Sequence, residues 1–196
     1  MDADDLPRWA DESLRPPPVD YPAATAADHA SGEHLRAIHD MYRRGLAQVG
    51  DLVELVAAGD ADPAEARAAL HGLGLTEAYQ TLGSYCGQIC SAVQTHHGIE
   101  DRFLYPPLRD ADDALSATLD RLTHEHEVIH AVLVRLDGSV VRLARSADPG
   151  SGAAATPEAG AALVREFRHL RALLESHFRY EEDAIGTALG VHRIGV

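Results

Sequence analysis

The sequence predicts an all-α fold, an antiparallel up-down-up-down four-helix bundle with an extended N-terminal tail. Three observations carry this prediction. Leu and Ala dominate the composition while aromatic residues make up only 5%, which favours helices over a packed β-sandwich. Apolar residues recur at three- and four-residue spacing over four long segments, and no stretch alternates with period two. The segments follow one another through polar or Gly/Pro punctuation, as antiparallel neighbours in a bundle do. With 196 residues and 45% hydrophobic content, the chain can bury one full core.

Residues 1–30 hold Pro16-Pro17-Pro18 and Pro22, show no period, and read as the tail. The bundle is expected over residues 31–190, with 191–196 as a C-terminal tail. The first helix runs from Ser31 to Ala58, with Gly59 behind it and a stripe of Leu35, Ile38, Tyr42, Leu46, Val49, Val53 and Val56. A short connecting helix follows between the first two long ones. Asp62 caps it, Pro63 sits at its first position, Glu65 completes a capping pattern, and Gly72 and Gly74 end it. The second long helix runs from Thr76 to Tyr105 and is expected to stop at Pro106-Pro107. The third runs from Asp113 to Arg145. The stretch RSADPGSGAAATPEAG reads as a flexible linker by composition. Thr156 then caps the fourth helix, with Pro157 at its first position, Leu189 at its end and Gly190 beyond.

A net charge of −14 argues against nucleic acid or an anionic membrane as partner. The acidic N-terminus has no apolar signal-peptide core, and no run approaches the roughly 18 apolar residues of a spanning helix. Cys86 and Cys90 are four residues apart on a helix, which suits small buried residues better than a disulfide or a redox CxxC pair. These features predict a cytoplasmic monomer or homodimer.

Histidine is the informative residue, with 12 in the chain. On the first helix His39 falls on the apolar stripe. On the second, Val93, His96, Glu100 and Phe103 continue the stripe. His126 lies on the stripe of the third helix, and His177 and Glu181 on that of the fourth. Each helix therefore offers a core-facing histidine, and two add a glutamate one turn later on the same face. In an antiparallel bundle these positions fall roughly 12 to 20 Å from one end, at ~1.5 Å per residue, so they share a layer. Buried imidazoles and carboxylates converging in one layer suit transition metals. The set is too large for one zinc and suits two ions, iron before manganese, with each histidine capping one ion and the carboxylates bridging. The rival ferritin-like plan needs paired Glu-x-x-His motifs. Glu127-x-x-His130 and Glu166-x-x-His169 match it formally, but on consecutive helices at opposite ends, leaving His39, His96 and His177 unexplained.

The segments IHDMYRRGL, HHGIEDRFLYPPL, HEHEVIHAVL and HFRYEEDAI, in that order, resemble the hemerythrin-like, or HHE cation-binding, domain over about residues 31–190. The resemblance implies a non-haem, carboxylate-bridged site of two iron ions. Carried over position by position, the ligands are His39, His96, Glu100, His126, His177 and Glu181, with Glu100 and Glu181 as bridges. His130, four residues after His126, matches a further ligand of hemerythrin itself that many HHE proteins lack, and is either a ligand or a hydrogen-bonded group behind them. Hemerythrin's last carboxylate is spaced as Glu182, but the His-x-x-x-Glu of the second helix favours Glu181.

Of the neighbours, His97 points about 100° from His96 by helical period, towards another helix or solvent. His124 is expected at the surface. Asp101 and Glu182 are candidates to accept hydrogen bonds from ligand imidazoles. Tyr42 lies on the metal face as core packing, gate, donor or ligand, with Tyr105 and Tyr180 as weaker candidates for those roles. Phe103 and Leu104 are expected to seal the core, and Gly98 to open space for a small ligand. Function then divides three ways. The first is binding of O2 or a related small molecule, peroxide or nitric oxide. The second is an oxidoreductase, catalase-like or an oxidase. The third, ranked last, is iron sensing or iron–sulfur repair.

Overall fold

The computed structural model describes residues 11–58, 91–146 and 157–195. The connecting helix with Asp62, Pro63, Glu65, Gly72 and Gly74, the helix start at Thr76, Cys86 and Cys90, and Thr156 lie outside the described residues. Among those described there are helices and no strand. We number the long helices α1, Ala26–Ala58; α2, residues 91–111; α3, Ser116–Ser146; and α4, Pro157–Val191. None is long and apolar enough to cross a membrane. The chain divides into two compact units, the first formed by Met1–Arg43, Val93–His130 and Leu173–Val196, the second by Arg44–Ala92 and Ala131–Ala172. Every metal-site candidate falls in the first.

α1 starts at Ala26 rather than Ser31 because Thr25 and Asp28 cap each other. The Asp28 amide donates to Thr25 Oγ1 at 3.3 Å, and the Thr25 amide and hydroxyl both donate to Asp28 Oδ2 at 2.7 Å. α2 does not stop at Pro106-Pro107. A π-helical turn at Glu100–Leu104 interrupts it, with the Tyr105 amide donating to the Glu100 carbonyl, and the helix restarts over Tyr105–Ala111. Both prolines fall in the restarted first turn, where an N–H is not needed. The wider turn also rotates everything after it. Phe103, expected in the core, is 70% exposed, while Leu104, Tyr105 and Leu108 turn inward.

α4 continues past Leu189 and carries Gly190 inside it. Its end is a Schellman motif in which Ile194 donates to the Leu189 carbonyl at 2.8 Å, Arg193 donates to that of Gly190 at 3.0 Å, and Arg193 takes φ 57°. Gly190 is needed for packing instead of capping: a Cβ there would lie 2.2 Å from the Asp28 carbonyl oxygen of α1. One turn earlier, Gly186 faces Gly32 in the same way. Around these contacts Leu35, Leu108, Leu119, Leu122, Ile185 and Leu189 form the first unit's apolar core, with Val19 and Tyr21 packed against it. Gly98 is different, since nothing lies within 4 Å of a Cβ built on it and it does not hold space open against a neighbour. Gly190→Ala should therefore cost about 1–3 kcal/mol by forcing α1 and α4 apart, whereas Gly98→Ala should gain about 0.5–1 kcal/mol. Denaturant unfolding of the two variants checks the opposite signs.

In the second unit Leu46, Val49, Val53, Leu136, Leu163 and Phe167 are buried, and Gly50 gives room to the Phe167 ring. Ser139 donates to Glu166, so that carboxylate is engaged within this unit. Glu127 and His130 are exposed on α3. The ferritin-like pairing of these positions finds no support in their surroundings.

Candidate metal centre

Seven buried side chains from all four helices meet in the first unit as two groups. The ligand atoms of His39 on α1, His96 and Glu100 on α2 and Glu181 on α4 lie within 4.8 Å of one another. Those of His97 on α2, His126 on α3 and His177 on α4 do the same. The two glutamates face both groups. Glu100 places Oε1 3.1 Å from His96 Nε2 and Oε2 3.6 Å from His126 Nε2. Glu181 places Oε2 3.3 Å from His39 Nε2 and 3.9 Å from His177 Nε2, while its Oε1 accepts from the Tyr105 hydroxyl at 2.7 Å.

Behind the imidazoles stand carboxylates. His39 Nδ1–H donates to Glu182 at 2.9 Å, His126 Nδ1–H to Asp101 at 3.0 Å and His177 Nδ1–H to Glu125 at 3.1 Å. Arg36 and Arg43 hold Glu182, and Arg15 and Arg121 hold Glu125. With Nδ1 protonated, a neutral imidazole presents a bare Nε2 lone pair towards the centre.

Burial sets the charge states. It pushes His96 down to about 4 and His97 and His177 below the usual histidine value, favouring neutral rings. Burial also raises Glu100 well above the carboxylate range, helped by the nearby Glu181. For Glu181 the same burial is outweighed by the histidines around it, and it is lowered. Glu125 falls to about 2 because hydrogen bonds from His177 and Arg15 outweigh its burial.

These shifts fix a pH dependence for the metal-free protein. An unfolded histidine takes a proton near 6.5, which buried His96 refuses down to about 4. Stability is therefore lost as pH falls through that window, by up to about 3 kcal/mol for a shift of this size. His97 and His177 act in the same direction. Glu100 acts in the opposite one, since a raised carboxyl gains stability as it protonates. The lowered Glu125 and Glu181 act with the three histidines as pH falls further, leaving Glu100 alone on the other side, so chelator-treated protein should show a lower Tm at pH 5 than at pH 7.5. An unchanged or higher Tm at pH 5 would contradict neutral buried imidazoles.

The chemistry of the donor set fits metal ions. Both oxygens of Glu100, Oε2 of Glu181 and Nε2 of His97 are buried without a hydrogen-bond partner, an arrangement that is costly unless something else satisfies them. His126 Nε2 and His177 Nε2 face each other at 3.2 Å, close enough for both to reach one cation.

The structure thus brings together His39, His96, Glu100, His126, His177 and Glu181. It does not bring in His130, whose Nδ1 is hydrogen-bonded to Gln94 Nε2 at 2.9 Å. Glu182 stands behind His39, and Asp101 behind His126. The residue the sequence reading left out is His97, which is 4% exposed and stacks on His126 with ring centroids 4.0 Å apart. The signal for it was present: His97 follows the core residue Val93 by four positions, on the same face. Tyr42 is buried and stacks on His96. Tyr105 enters the centre through Glu181, while Tyr180 bonds the Pro16 carbonyl instead. His124 is partly exposed beside Glu127, near the surface as expected.

A cavity of about 310 Å³ reaches the centre beside His96 and Glu100. Its other walls are mainly apolar and include Ile38, Tyr42, Ile99 and Phe103. No match to the chain was found among curated proteins or among solved structures. One family model matches residues 30–189: the hemerythrin HHE cation binding domain.

Proposed function

Because the chain belongs to the hemerythrin HHE cation-binding family, we propose that it is a non-haem di-iron protein. The bundle that holds the iron has antiparallel up-down-up-down topology. His39 and His96 would hold one ion and His97, His126 and His177 the other, with Glu100 and Glu181 available to both. The carrying observation is Glu100, a buried carboxylate with neither oxygen hydrogen-bonded, set between the two histidine groups. Bound iron supplies reversible one-electron chemistry and affinity for O2, peroxide or nitric oxide. The protein's own part is to hold His96, His97 and His177 neutral by burial, to fix His39, His126 and His177 through Nδ1, to anchor Glu181 by the Tyr105 hydroxyl, and to keep water sparse with Tyr42, Leu104 and Phe178. Binding of O2 or one of these relatives is the reading we favour.

One observation supports a second reading, a redox enzyme at the same centre. A cavity of about 310 Å³ is larger than a diatomic molecule requires and falls in the range of small-ligand sites. Its apolar walls suit an uncharged substrate.

Anaerobic loading with Fe(II), followed by metal analysis, should give close to two irons per chain. A single ion per chain, or zinc displacing iron, overturns the di-iron reading. Mixing the reduced protein with O2 then separates the two functions. A stable adduct that reverses on degassing marks a carrier. Rapid decay, or O2 release from added peroxide, marks an enzyme.

A further inference from the structure

We propose that the N-terminal strap, residues 11–25, is a latch on the metal centre. Arg15 clamps the carboxylate that orients His177, so that strap docking and metal binding at the three-histidine group are linked. The inference rests on the di-metal reading above. The strap precedes the family match over residues 30–189.

The strap is built to present one side chain. Asp11 caps a single turn at Glu12–Leu14 by accepting from the Ser13 amide at 2.9 Å. Pro16-Pro17-Pro18 then keep the backbone extended by fixing φ. The Tyr180 hydroxyl donates to the Pro16 carbonyl, and the Arg15 guanidinium lies 4.7 Å over the Tyr180 ring. Further on, Tyr21 donates to Asp112 at 2.8 Å and packs with Val19 against the core.

Arg15 is 11% exposed and turns its guanidinium towards Glu125 and Ser176. Its Nε and NH2 donate to the two oxygens of Glu125, each at 2.9 Å, and NH1 donates to Ser176 at 2.9 Å. Glu125 in turn accepts from His177 Nδ1. A bidentate guanidinium fixes the plane of a carboxylate as well as its charge. It thereby fixes the ring plane and basicity of His177, the usual role of a partner behind a metal-bound imidazole. By linkage, metal held through His177 must favour the docked strap by the same factor that the docked strap favours metal.

The test uses the full chain and Co(II), whose visible spectrum reports each ion's ligand field. Wild-type protein should take up two equivalents. Arg15→Ala should weaken one of them by about 10- to 100-fold and shift its bands while leaving the other unchanged. Arg15→Lys should recover part of the loss, because it restores the charge without the two parallel bonds. Arg109→Ala, at a surface pair with Asp120, should change nothing. In wild-type protein, hydrogen exchange over residues 11–25 should slow on metal loading, which decides the matter without any variant if Arg15→Ala fails to fold. Wild-type titration and spectrum in Arg15→Ala, or strap exchange indifferent to metal, overturns the latch. Wild-type protein that binds no second ion overturns the di-metal reading itself, and the latch with it.

Discussion

Glu100→Gln is expected to reduce metal loading from two ions per chain to at most one, with binding weakened at least ~100-fold, while leaving the metal-free fold as stable as before or more so. The two halves of this result have one cause. Glu100 is 2% exposed, and neither oxygen has a hydrogen-bond partner. In the metal-free protein such a group is a cost, and burial keeps it protonated. A neutral amide of the same shape relieves that cost. With metal, the same carboxylate, 3.1 Å from His96 Nε2 and 3.6 Å from His126 Nε2, would join the two groups. An amide cannot bridge two cations in its place. Metal analysis after anaerobic Fe(II) loading and thermal unfolding of chelated protein read the two halves separately. Retention of two ions at wild-type affinity would remove Glu100 from the bridge.

His97→Ala and His130→Ala are expected to separate cleanly. The first should lose one of two ions and keep the other, because His39, His96 and Glu181 are untouched. The second should keep both. His97 Nε2 is buried without a partner among His126 and His177, whereas His130 is exposed and bonded to Gln94. Titration of each variant with Fe(II) under anaerobic conditions decides it. The reverse pattern, with His130→Ala losing an ion, would restore the ligand position implied by family resemblance and dismiss His97.

The difference between those two histidines shows where sequence reading stops. Periodicity places His126 and His177 on core stripes because burial is dictated by spacing, and both are buried. Periodicity also assumes an unbroken 3.6-residue helix. The π-helical turn at Glu100–Leu104 breaks that assumption, and so Phe103 is exposed while Tyr105 reaches Glu181. No local rule announced the turn, since Pro106 and Pro107 read as a stop. The choice between Glu181 and Glu182 is of the same kind. Adjacent glutamates point about 100° apart, so one faces the centre and the other stands behind His39, and only the position of α1 says which is which.

By itself the sequence determined helix formation, the family, and the inward-facing histidines and glutamates, because all of these follow from composition, spacing and local motif. Tertiary structure decided that His97 lies beside His126 and His177 while His130 does not, that Gly190 serves a helix contact rather than a helix end, and that Arg15 reaches Glu125 behind His177 from a segment without periodicity. Each of these depends on a partner far away in the chain: Asp28 against Gly190, Glu125 against Arg15, His126 against His97. Spacing along one helix carries no information about what another helix places opposite it.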